Sequence, residues 1–235
     1  SGYEITRIAP RIKETAFLLW KIYLLFTVVE IFFLLLTGLN PFDAVCHTFT
    51  SLATGGFSTH AKNVMYYNNA YTEIVLIIFM IIGGASFVLH YNFISGRSYN
   101  LFKNPEFRFY VSSIILSTSI ITILLLTTNY SGNALRDALF QVVSIHTASG
   151  FNNTDFSLWP WSAKLILFLL MFIGGCVGST AGGIKCMRIL VLFKSARREI
   201  QKVIRPRTVS PVIIGKKVLS EDIVRNIFVF FFLYM

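Results

Sequence analysis

Long apolar runs alternate with short polar and glycine-rich stretches along the whole chain. Three of these runs, residues 17–36, 71–91 and 109–127, are each close to the length of a helix that crosses about 30 Å of hydrocarbon. A fourth run, residues 161–194, would reach about 50 Å as one straight helix, so we expect it to break or to protrude. A fifth crossing begins near Asp222 and stops within an apolar run, and we expect the chain to be part of a longer protein. The pattern predicts an all-α integral membrane protein.

The fourth run is interrupted where glycines replace aliphatic residues. The stretch GGCVGSTAGG, residues 174–183, holds five glycines, a serine and a threonine before an aliphatic pattern resumes. Glycine weakens a helix by about 1 kcal/mol relative to alanine and accepts backbone angles that other residues resist. We therefore predict a broken helix with an irregular loop at membrane depth. Close packing of neighbouring helices through small residues is the alternative use of the same glycines.

A short helix is predicted between the first two apolar runs, over residues Pro41–Leu52. Asn40 suits the capping position, Pro41 suits the first helical position, and Asp43 lies in the first turn. Twelve residues span only about 18 Å, so this helix dips into the membrane without crossing it. The polar stretch SLATGGFSTH, residues 51–60, follows at its end.

Composition and charge agree with a membrane protein. Of all residues, 54% are hydrophobic and 14% are charged, and the charged share is about half the usual globular value. The net charge of +10 does not indicate nucleic-acid binding, because the basic residues lie between apolar segments. Sixteen Lys and Arg residues fall on one predicted side, against Lys62, Arg136 and Lys164 on the other, which places the first side in the cytoplasm. The short helix and its polar stretch therefore enter from outside.

The chain contains an internal repeat. The segment DAVCHTFTSLATGGFST, residues 43–59, aligns without a gap on DALFQVVSIHTASGFNN, residues 137–153, with Asp, Ala, Gly and Phe at the same offsets. The helices that follow also superpose, MIIGG at 80–84 on MFIGG at 171–175. A unit of helix, short helix, loop and helix thus occurs twice, with a period of roughly 91 to 94 residues.

The repeated loops have the composition of an ion pathway. Irregular backbone is tolerated at membrane depth only where it is buried in protein or lines a water-filled cavity. Glycine lets successive carbonyl groups point toward a pore, where they replace the hydration shell of a cation, and Thr or Ser adds hydroxyl oxygens. The short helix ends at the loop, and the negative end of its dipole favours positive charge there. The loops are therefore interpreted as walls of a cation selectivity filter.

The loops ATGGFS and TASGFN, the broken helix with GSTAGGIK, and the order of M1, pore helix and M2 in each unit resemble the Trk/Ktr/HKT superfamily of potassium transporters. The resemblance covers nearly the whole chain and is nearest to the Trk potassium-uptake membrane subunits. It implies a pseudo-fourfold pore built from four such repeats, with one broken M2 helix. It also implies gated potassium uptake by a multi-pass protein of the bacterial inner membrane.

The resemblance assigns roles position by position. It implies a filter formed by Ala53, Thr54, Gly55, Gly56 and Phe57 in one repeat and by Thr147, Ala148, Ser149, Gly150 and Phe151 in the other. The filter would bind K⁺, with no other metal and no cofactor in this chain. It further implies a gate loop that contains Gly174, Gly175, Gly178, Ser179, Thr180, Gly182, Gly183 and Lys185.

The same resemblance divides the chain into units. Residues 1–100 correspond to the family's second repeat, residues 101–204 to its third repeat with the gate loop, and residues 205–235 to a cytoplasmic basic linker and the start of a truncated next repeat. Two repeats alone cannot close a pore. The implied partners are therefore the remaining repeats of the same protein, a second protomer in a homodimer, a cytosolic nucleotide-binding regulatory ring and the lipid bilayer, and no nucleic acid.

Other interpretations stay open at this stage. Broken helices also build the midplane site of an ion-coupled secondary carrier. An intramembrane enzyme using His47, Asp43 or His146 is a third hypothesis, although no pair of nucleophile and base favours it. We expect the two histidines to serve polar packing of the short helices. Glu30, a charge within the first crossing, is expected to pair with a polar group or to line the outer vestibule.

Overall fold

The computed structural model describes residues 12–96, 103–128, 130–205, 211–215 and 217–235. The first repeat comprises α1 (Ile12–Leu36), α2 (Pro41–Leu52), a 3₁₀ turn (Asn63–Tyr66), α3 (Ala70–Gly84) and α4 (Phe87–Ile94). The second comprises α5 (Pro105–Thr127), α6 (Ala134–His146), a 3₁₀ turn (Phe156–Leu158), α7 (Trp161–Met171) and α8 (Cys186–Ile204). Strands β1 (Ile213–Ile214) and β2 (Lys217–Val218) and helix α9 (Glu221–Tyr234) follow.

The two long helices α1 and α5 have the length and composition of membrane spans. The apolar segments are 21 and 23 residues long, and much of their surface is apolar and exposed, including Trp20 at 58% and Leu126 at 67%. Large apolar side chains facing outward are expected of helices that face lipid. The predicted all-α integral membrane fold is confirmed.

The pore helices α2 and α6 begin where capping residues predict. Asn40 Oδ1 accepts a hydrogen bond from Asp43 N at 2.8 Å, and Asn133 Oδ1 accepts one from Arg136 N at 3.1 Å. These bonds satisfy backbone N–H groups that the first turn leaves without helical partners. The prediction of a short helix over Pro41–Leu52 is confirmed at both ends.

The second apolar run differs from the prediction of one continuous crossing over residues 71–91. Helices α3 and α4 are bent by 103° at a short break. At the break, the carbonyls of Gly83 and Gly84 accept hydrogen bonds from Thr180 N at 3.2 Å and Cys176 N at 2.8 Å. The last carbonyl groups of α3 are thus hydrogen-bonded to a distant loop instead of to a following turn of the helix, which fits the break at this point. The last helical segment of each repeat, called M2, consists of α3 and α4 in the first repeat and of α7 and α8 in the second. Both M2 segments are therefore interrupted, whereas the sequence predicted a break in the second repeat alone.

The predicted interruption of the fourth run is confirmed. Helix α7 ends at Met171, and α8 begins at Cys186 and extends past Lys194 to Ile204. Between them, Gly174 N donates to Ile184 O at 2.8 Å. This pairing closes the base of residues 174–183, called the gate loop below.

The C-terminal part contains a small hairpin that the sequence did not predict. Val212 and Ile214 pack with Val191 of α8 and with Val224 and Ile227 of α9. Helix α9 begins at Glu221, next to the predicted start at Asp222. Several positions used for the predicted sidedness, the unit boundaries and the basic linker lie outside the described residues: 1–11, 97–102, 206–210 and 216.

Candidate ion filter and gate loop

The two filter loops, residues 53–57 and 147–151, have the same backbone conformation. Thr54 and Gly56 have φ angles of 54° and 68°, and Ala148 and Gly150 have φ angles of 59° and 81°. The residue between each pair lacks a positive φ. Alternation of this kind turns successive peptide groups the same way, so carbonyl oxygens can line one side of a loop. A non-glycine residue held at positive φ is strained by about 1–2 kcal/mol, and both repeats retain that strain.

Equivalent hydrogen bonds hold both loops to their pore helices. Gly55 N donates to Thr50 O at 2.7 Å, and Ser149 N donates to Ser144 O at 2.8 Å. The hydroxyls of Thr50 and Ser144 donate to the carbonyl of the phenylalanine after each filter glycine, at 2.8 Å and 2.7 Å. Each contact recurs at an offset of 94 residues. The internal repeat read from the sequence is thus present in the hydrogen-bond pattern.

The two loops lie against each other. A Cβ atom added at Gly56 would lie 1.9 Å from Ser149 O. Asn63 joins the loops: its Nδ2 donates to Gly56 O at 3.2 Å, and its Oδ1 accepts from Asn152 N at 3.2 Å. Sequence reasoning missed Asn63, because only its contact with the other repeat reveals its role. The two loops are therefore in direct contact and are joined by one side chain.

The hydroxyls of the second loop are engaged in hydrogen bonds with the loop itself and with its pore helix. Ala148 and Gly150 are exposed, whereas Thr147 and Ser149 are buried. The hydroxyls of Thr147 and Ser149 lie 2.9 Å apart, and Thr147 Oγ1 donates to Val143 O at 2.8 Å. These side chains therefore stabilise the loop itself.

The phenylalanines of the two loops differ in burial. Phe57 is 78% exposed, whereas Phe151 is fully buried and stacks on His47 with ring centroids 5.8 Å apart. His47 bonds through Nδ1 to Asp43 O at 2.8 Å and through Nε2 to Ser58 Oγ at 2.9 Å. The expected packing role of His47 is confirmed.

Two further polar side chains within the predicted membrane segments, His146 and Glu30, also make packing contacts. His146 Nε2 lies 2.6 Å from Ser113 Oγ, and the histidine ring packs edge to face with Tyr110. Glu30 is buried and accepts a hydrogen bond from Ser51 of the pore helix, so the expected pairing with a polar group is confirmed. Among the described residues, no group of three or more His, Cys, Asp or Glu side chains is arranged to hold a metal ion.

The gate loop is attached to the first filter loop and its pore helix. Thr180 Oγ1 lies 2.7 Å from Leu52 O and 3.0 Å from Gly83 O. Thr54 Oγ1 lies 3.0 Å from Thr180 O. On the other side, a Cβ atom added at Gly182 would lie 3.5 Å from Ala148 Cβ. The gate loop therefore contacts the first filter loop and lies beside the second.

Close backbone contacts explain several glycines of the gate loop. A Cβ atom at Gly174 would lie 1.8 Å from Gly182 O, and one at Gly175 would lie 2.4 Å from Gly84 O. Gly178 O accepts a hydrogen bond from Phe87 N at 3.0 Å. The glycines thus provide both an irregular loop and close packing against the broken M2 segment of the first repeat.

A buried carboxylate, Glu106, joins the middle of the gate loop to the start of α8. Sequence reasoning missed this residue. Glu106 is 4% exposed and lies in the first turn of α5. Its Oε1 accepts hydrogen bonds from Val177 N at 2.7 Å and from Met187 N at 3.2 Å. Lys185 lies near enough to interact with it electrostatically and donates to Ala181 O. An acidic residue in the first turn of a helix is ordinarily explained by the helix dipole. The sequence therefore gave no indication that Glu106 contacts the gate loop.

Comparison with known proteins places this arrangement in a family. The sequence model of the TrkH family, described as "Cation transport protein", matches residues 6–235. The chain belongs to the TrkH family. Within the family, it is 38% identical over 232 residues to the Trk system potassium uptake protein TrkH of Escherichia coli K12, and 40% identical over 237 residues to that of Halomonas elongata.

Solved structures of the TrkH family show the same fold. The crystal structure of the potassium transporter TrkH from Vibrio parahaemolyticus matches with a TM-score of 0.92 at 38% identity, over 98% of this chain and 50% of that one. The match to the Escherichia coli protein includes 97% of this chain but only 48% of that relative. It therefore spans about half the length of the relatives it matches.

Proposed function

We propose that the full-length protein takes up potassium ions through a gated, cation-selective pore in the bacterial inner membrane, and that this chain forms two walls of that pore. The observation that carries the proposal is the matched pair of filter loops, which share positive φ angles at equivalent positions and meet at Gly56 and Ser149. The choice of potassium as the ion is supported by the names of the relatives, which are potassium uptake proteins and a potassium transporter. Ion permeation involves no covalent step, so the protein is not proposed to be an enzyme.

The filter acts by replacing water around the ion. Carbonyl oxygens of residues 53–56 and 147–150 take the place of part of the hydration shell, and K⁺ is the only metal ion proposed to bind here. Helices α2 and α6 end at these loops, so the negative ends of their dipoles favour a cation. The strained backbone is held by the pore-helix hydrogen bonds, which keep the oxygens in place before an ion arrives.

The gate loop is proposed to control passage beneath the filter. It contacts the first filter loop through Thr180 and lies beside the second at Gly182, and a loop in that position would obstruct the path. Its closing base leads directly into α8. Displacement of α8 by a cytosolic nucleotide-binding ring would move the loop, which permits such a change at its glycines.

We propose that the chain is divided into units at 1–100, 101–204 and 205–235 and that further repeats adjoin them. The exposed surfaces of the two filter loops are unequal, which supports the presence of further repeats. Phe151 is buried on the neighbouring pore helix, whereas Phe57 is exposed. Gly56 abuts the second loop, whereas no atom lies within 4 Å of a Cβ added at Gly150. Remaining repeats of the same protein would cover Phe57 and face Gly150. A homodimer of such protomers is part of the same proposal.

An ion-coupled secondary carrier is the second candidate. It is favoured by the interruption of both M2 segments, because discontinuous helices build midplane sites in carriers. Single-channel currents at steady gradients would support the pore, whereas saturable transport strictly coupled to a second ion would support the carrier.

The proposed function is tested with the purified full-length protein in planar bilayers. Reversal potentials are measured with K⁺ on one side and Na⁺ on the other. A shift toward the K⁺ equilibrium potential is expected. A reversal potential near zero in a folded, conducting preparation would contradict selective permeation.

A further inference from the structure

An aspartate recurs at the same place in both repeats, and the filter and gate described above make no use of its side chain. Asp43 lies in the first turn of α2 and Asp137 in the first turn of α6. Both are 4% exposed. A carboxylate in a first turn interacts favourably with the helix dipole, which would account for its presence but not for the contacts of its two oxygens.

In the first repeat, Asp43 binds the segment that leaves the filter. Its Oδ1 accepts a hydrogen bond from Thr59 Oγ1 at 2.6 Å. Its Oδ2 lies 3.1 Å from His60 Nε2 and 2.9 Å from Asn40 Nδ2, which donates to it. Thr59 follows the filter glycine Gly56 by three residues. The start of the pore helix is thereby joined to the chain just beyond the filter.

In the second repeat, the same connection is made by a different donor. Asp137 Oδ1 accepts a hydrogen bond from Asn153 Nδ2 at 3.1 Å, and its Oδ2 accepts one from Tyr130 OH at 3.0 Å. Asn153 follows Gly150 by three residues, as Thr59 follows Gly56. The aspartate is retained while the donor changes from a hydroxyl to an amide. The shared feature is therefore the connection between the two segments.

The filter loops need such a connection for a physical reason. The last turn of each pore helix holds the start of its loop through the bonds to Thr50 O and Ser144 O, and its hydroxyls hold the phenylalanine carbonyl after the filter glycine. Residues at positive φ within the loop favour relaxation to other angles, which a further attachment beyond the phenylalanine opposes. A charge-assisted hydrogen bond is about twice as strong as a neutral one, and it lies where the loop would otherwise open.

The charge state of Asp43 suits this role. Burial opposes ionisation of its carboxyl group, but hydrogen bonds from Thr59, Tyr67 and His60 outweigh that effect and lower the pKa to about 2. The group is therefore ionised at neutral pH and accepts hydrogen bonds at both oxygens.

We propose that Asp43 and Asp137 are positioning residues that hold the C-terminal end of each filter loop and thereby set the preference for K⁺ over Na⁺. The proposal rests on the proposed function. Ion discrimination requires that the carbonyl oxygens keep their spacing around the ion, and each aspartate fixes the chain three residues beyond the glycine that presents them.

A second role for the same charge would be to attract cations into the pore, and substitution of Thr59 separates the two. Thr59→Val removes the hydrogen bond to Asp43 and leaves the carboxylate charge in place. Thr59→Ser keeps the hydroxyl. Thr59 is exposed, so these changes disturb packing little. Asp155→Asn is the matched control, because Asp155 is an exposed aspartate that only caps the turn at Ser157 N, at 3.0 Å.

The experiment measures K⁺/Na⁺ permeability ratios of the full-length protein in bilayers, together with thermal stability. Asp43→Ala, Asp137→Ala and Thr59→Val are each expected to lower the ratio at least fivefold. The double variant Asp43→Ala/Thr59→Val is expected to fall no further than Asp43→Ala alone, because both substitutions remove the same connection. Thr59→Ser and Asp155→Asn are expected to keep the original ratio.

Each contrary result has a distinct meaning. A reduced ratio in Asp43→Ala with an unchanged ratio in Thr59→Val would overturn the positioning role in favour of a purely electrostatic one. Unchanged ratios in all variants would overturn the proposal altogether. If Asp43→Ala does not fold, the Thr59→Val and Thr59→Ser pair decides alone. A parent protein without K⁺ selectivity would instead contradict the proposed function.

Discussion

Thr180 is the residue at which the gate loop, the first filter loop and the break in α3 meet. Its hydroxyl lies within hydrogen-bond distance of Leu52 O and Gly83 O, and its carbonyl oxygen lies 3.0 Å from Thr54 Oγ1. Leu52 is the last residue of a pore helix, whose terminal carbonyls have no helical partners. The hydroxyl therefore stabilises the gate loop in its observed position, which the proposed function takes as the closed one.

Replacement of Thr180 by Val removes that hydroxyl with little change of shape. A hydrogen bond contributes about 1 kcal/mol net, which corresponds to roughly a fivefold change in the ratio of open to closed states. We expect Thr180→Val to raise K⁺ flux of the full-length protein about fivefold while the K⁺/Na⁺ ratio stays nearly unchanged. Single-channel open probability is the measurement.

Ser179→Ala is the matched control for Thr180→Val. Ser179 Oγ donates to Cys176 O at 2.7 Å, within the gate loop itself. Its loss should leave open probability close to that of the parent protein. Equal open probabilities for Thr180→Val and the parent would show that this hydroxyl does not hold the closed position.

At the scale of elements, the start of α5 fixes the gate loop relative to α8. Glu106 receives N–H groups from Val177, inside the loop, and from Met187, in the first turn of α8. Asn104 caps the same turn of α5 and accepts from Glu106 N at 2.9 Å. Glu106 therefore joins the middle of the gate loop to the start of α8, in addition to the direct bond from Cys186 N to Gly175 O.

Glu106→Ala is expected to separate the loop from α8. Two backbone N–H groups would lose their acceptor, so the loop would lose its fixed position, and flux should rise while control by a cytosolic partner weakens. Flux with and without that partner measures both effects. Glu106→Gln retains an acceptor oxygen and should keep most of the control. Intact regulation in a folded Glu106→Ala protein would exclude this coupling.

The elements could be predicted from the sequence where their causes are local. Helix Pro41–Leu52 is specified by its own Asn cap, proline and acidic first turn, and the structure has it at those bounds. The bend between α3 and α4 could not be predicted, because its hydrogen-bond donors, Thr180 N and Cys176 N, lie about ninety residues away. The β-hairpin has two residues per strand and is stabilised by contacts with α8 and α9, which leave no periodic signal.

At the scale of the whole molecule, the two repeats are equivalent in backbone but not in environment. The first loop is in contact with the second at Gly56, whereas the equivalent Gly150 has open space. The sequence predicted both loops, because each carries the same Gly-Phe pair after a capped short helix. It could not predict Asn63 as the link between them, since that role depends on how the repeats pack.

The contact at Gly56 gives the most direct test of the claim that the two loops form one selective path. A side chain at Gly56 would meet Ser149 O and would be strained at φ 68°. Gly38 has a φ of 93° with nothing within 4 Å of an added Cβ, so Gly38→Ala carries the same kind of backbone strain away from the filter. The positive φ alone should lower the stability of each variant by about 1–2 kcal/mol, and Gly56→Ala carries the collision with Ser149 O in addition.

The deciding measurement is the K⁺/Na⁺ permeability ratio of the full-length Gly56→Ala and Gly38→Ala proteins, taken from reversal potentials at matched abundance. We expect the ratio of Gly56→Ala to fall toward one, because both loops must shift to accept the new side chain. Gly38→Ala should keep the ratio of the parent protein. A folded Gly56→Ala protein with an unchanged ratio would contradict the account.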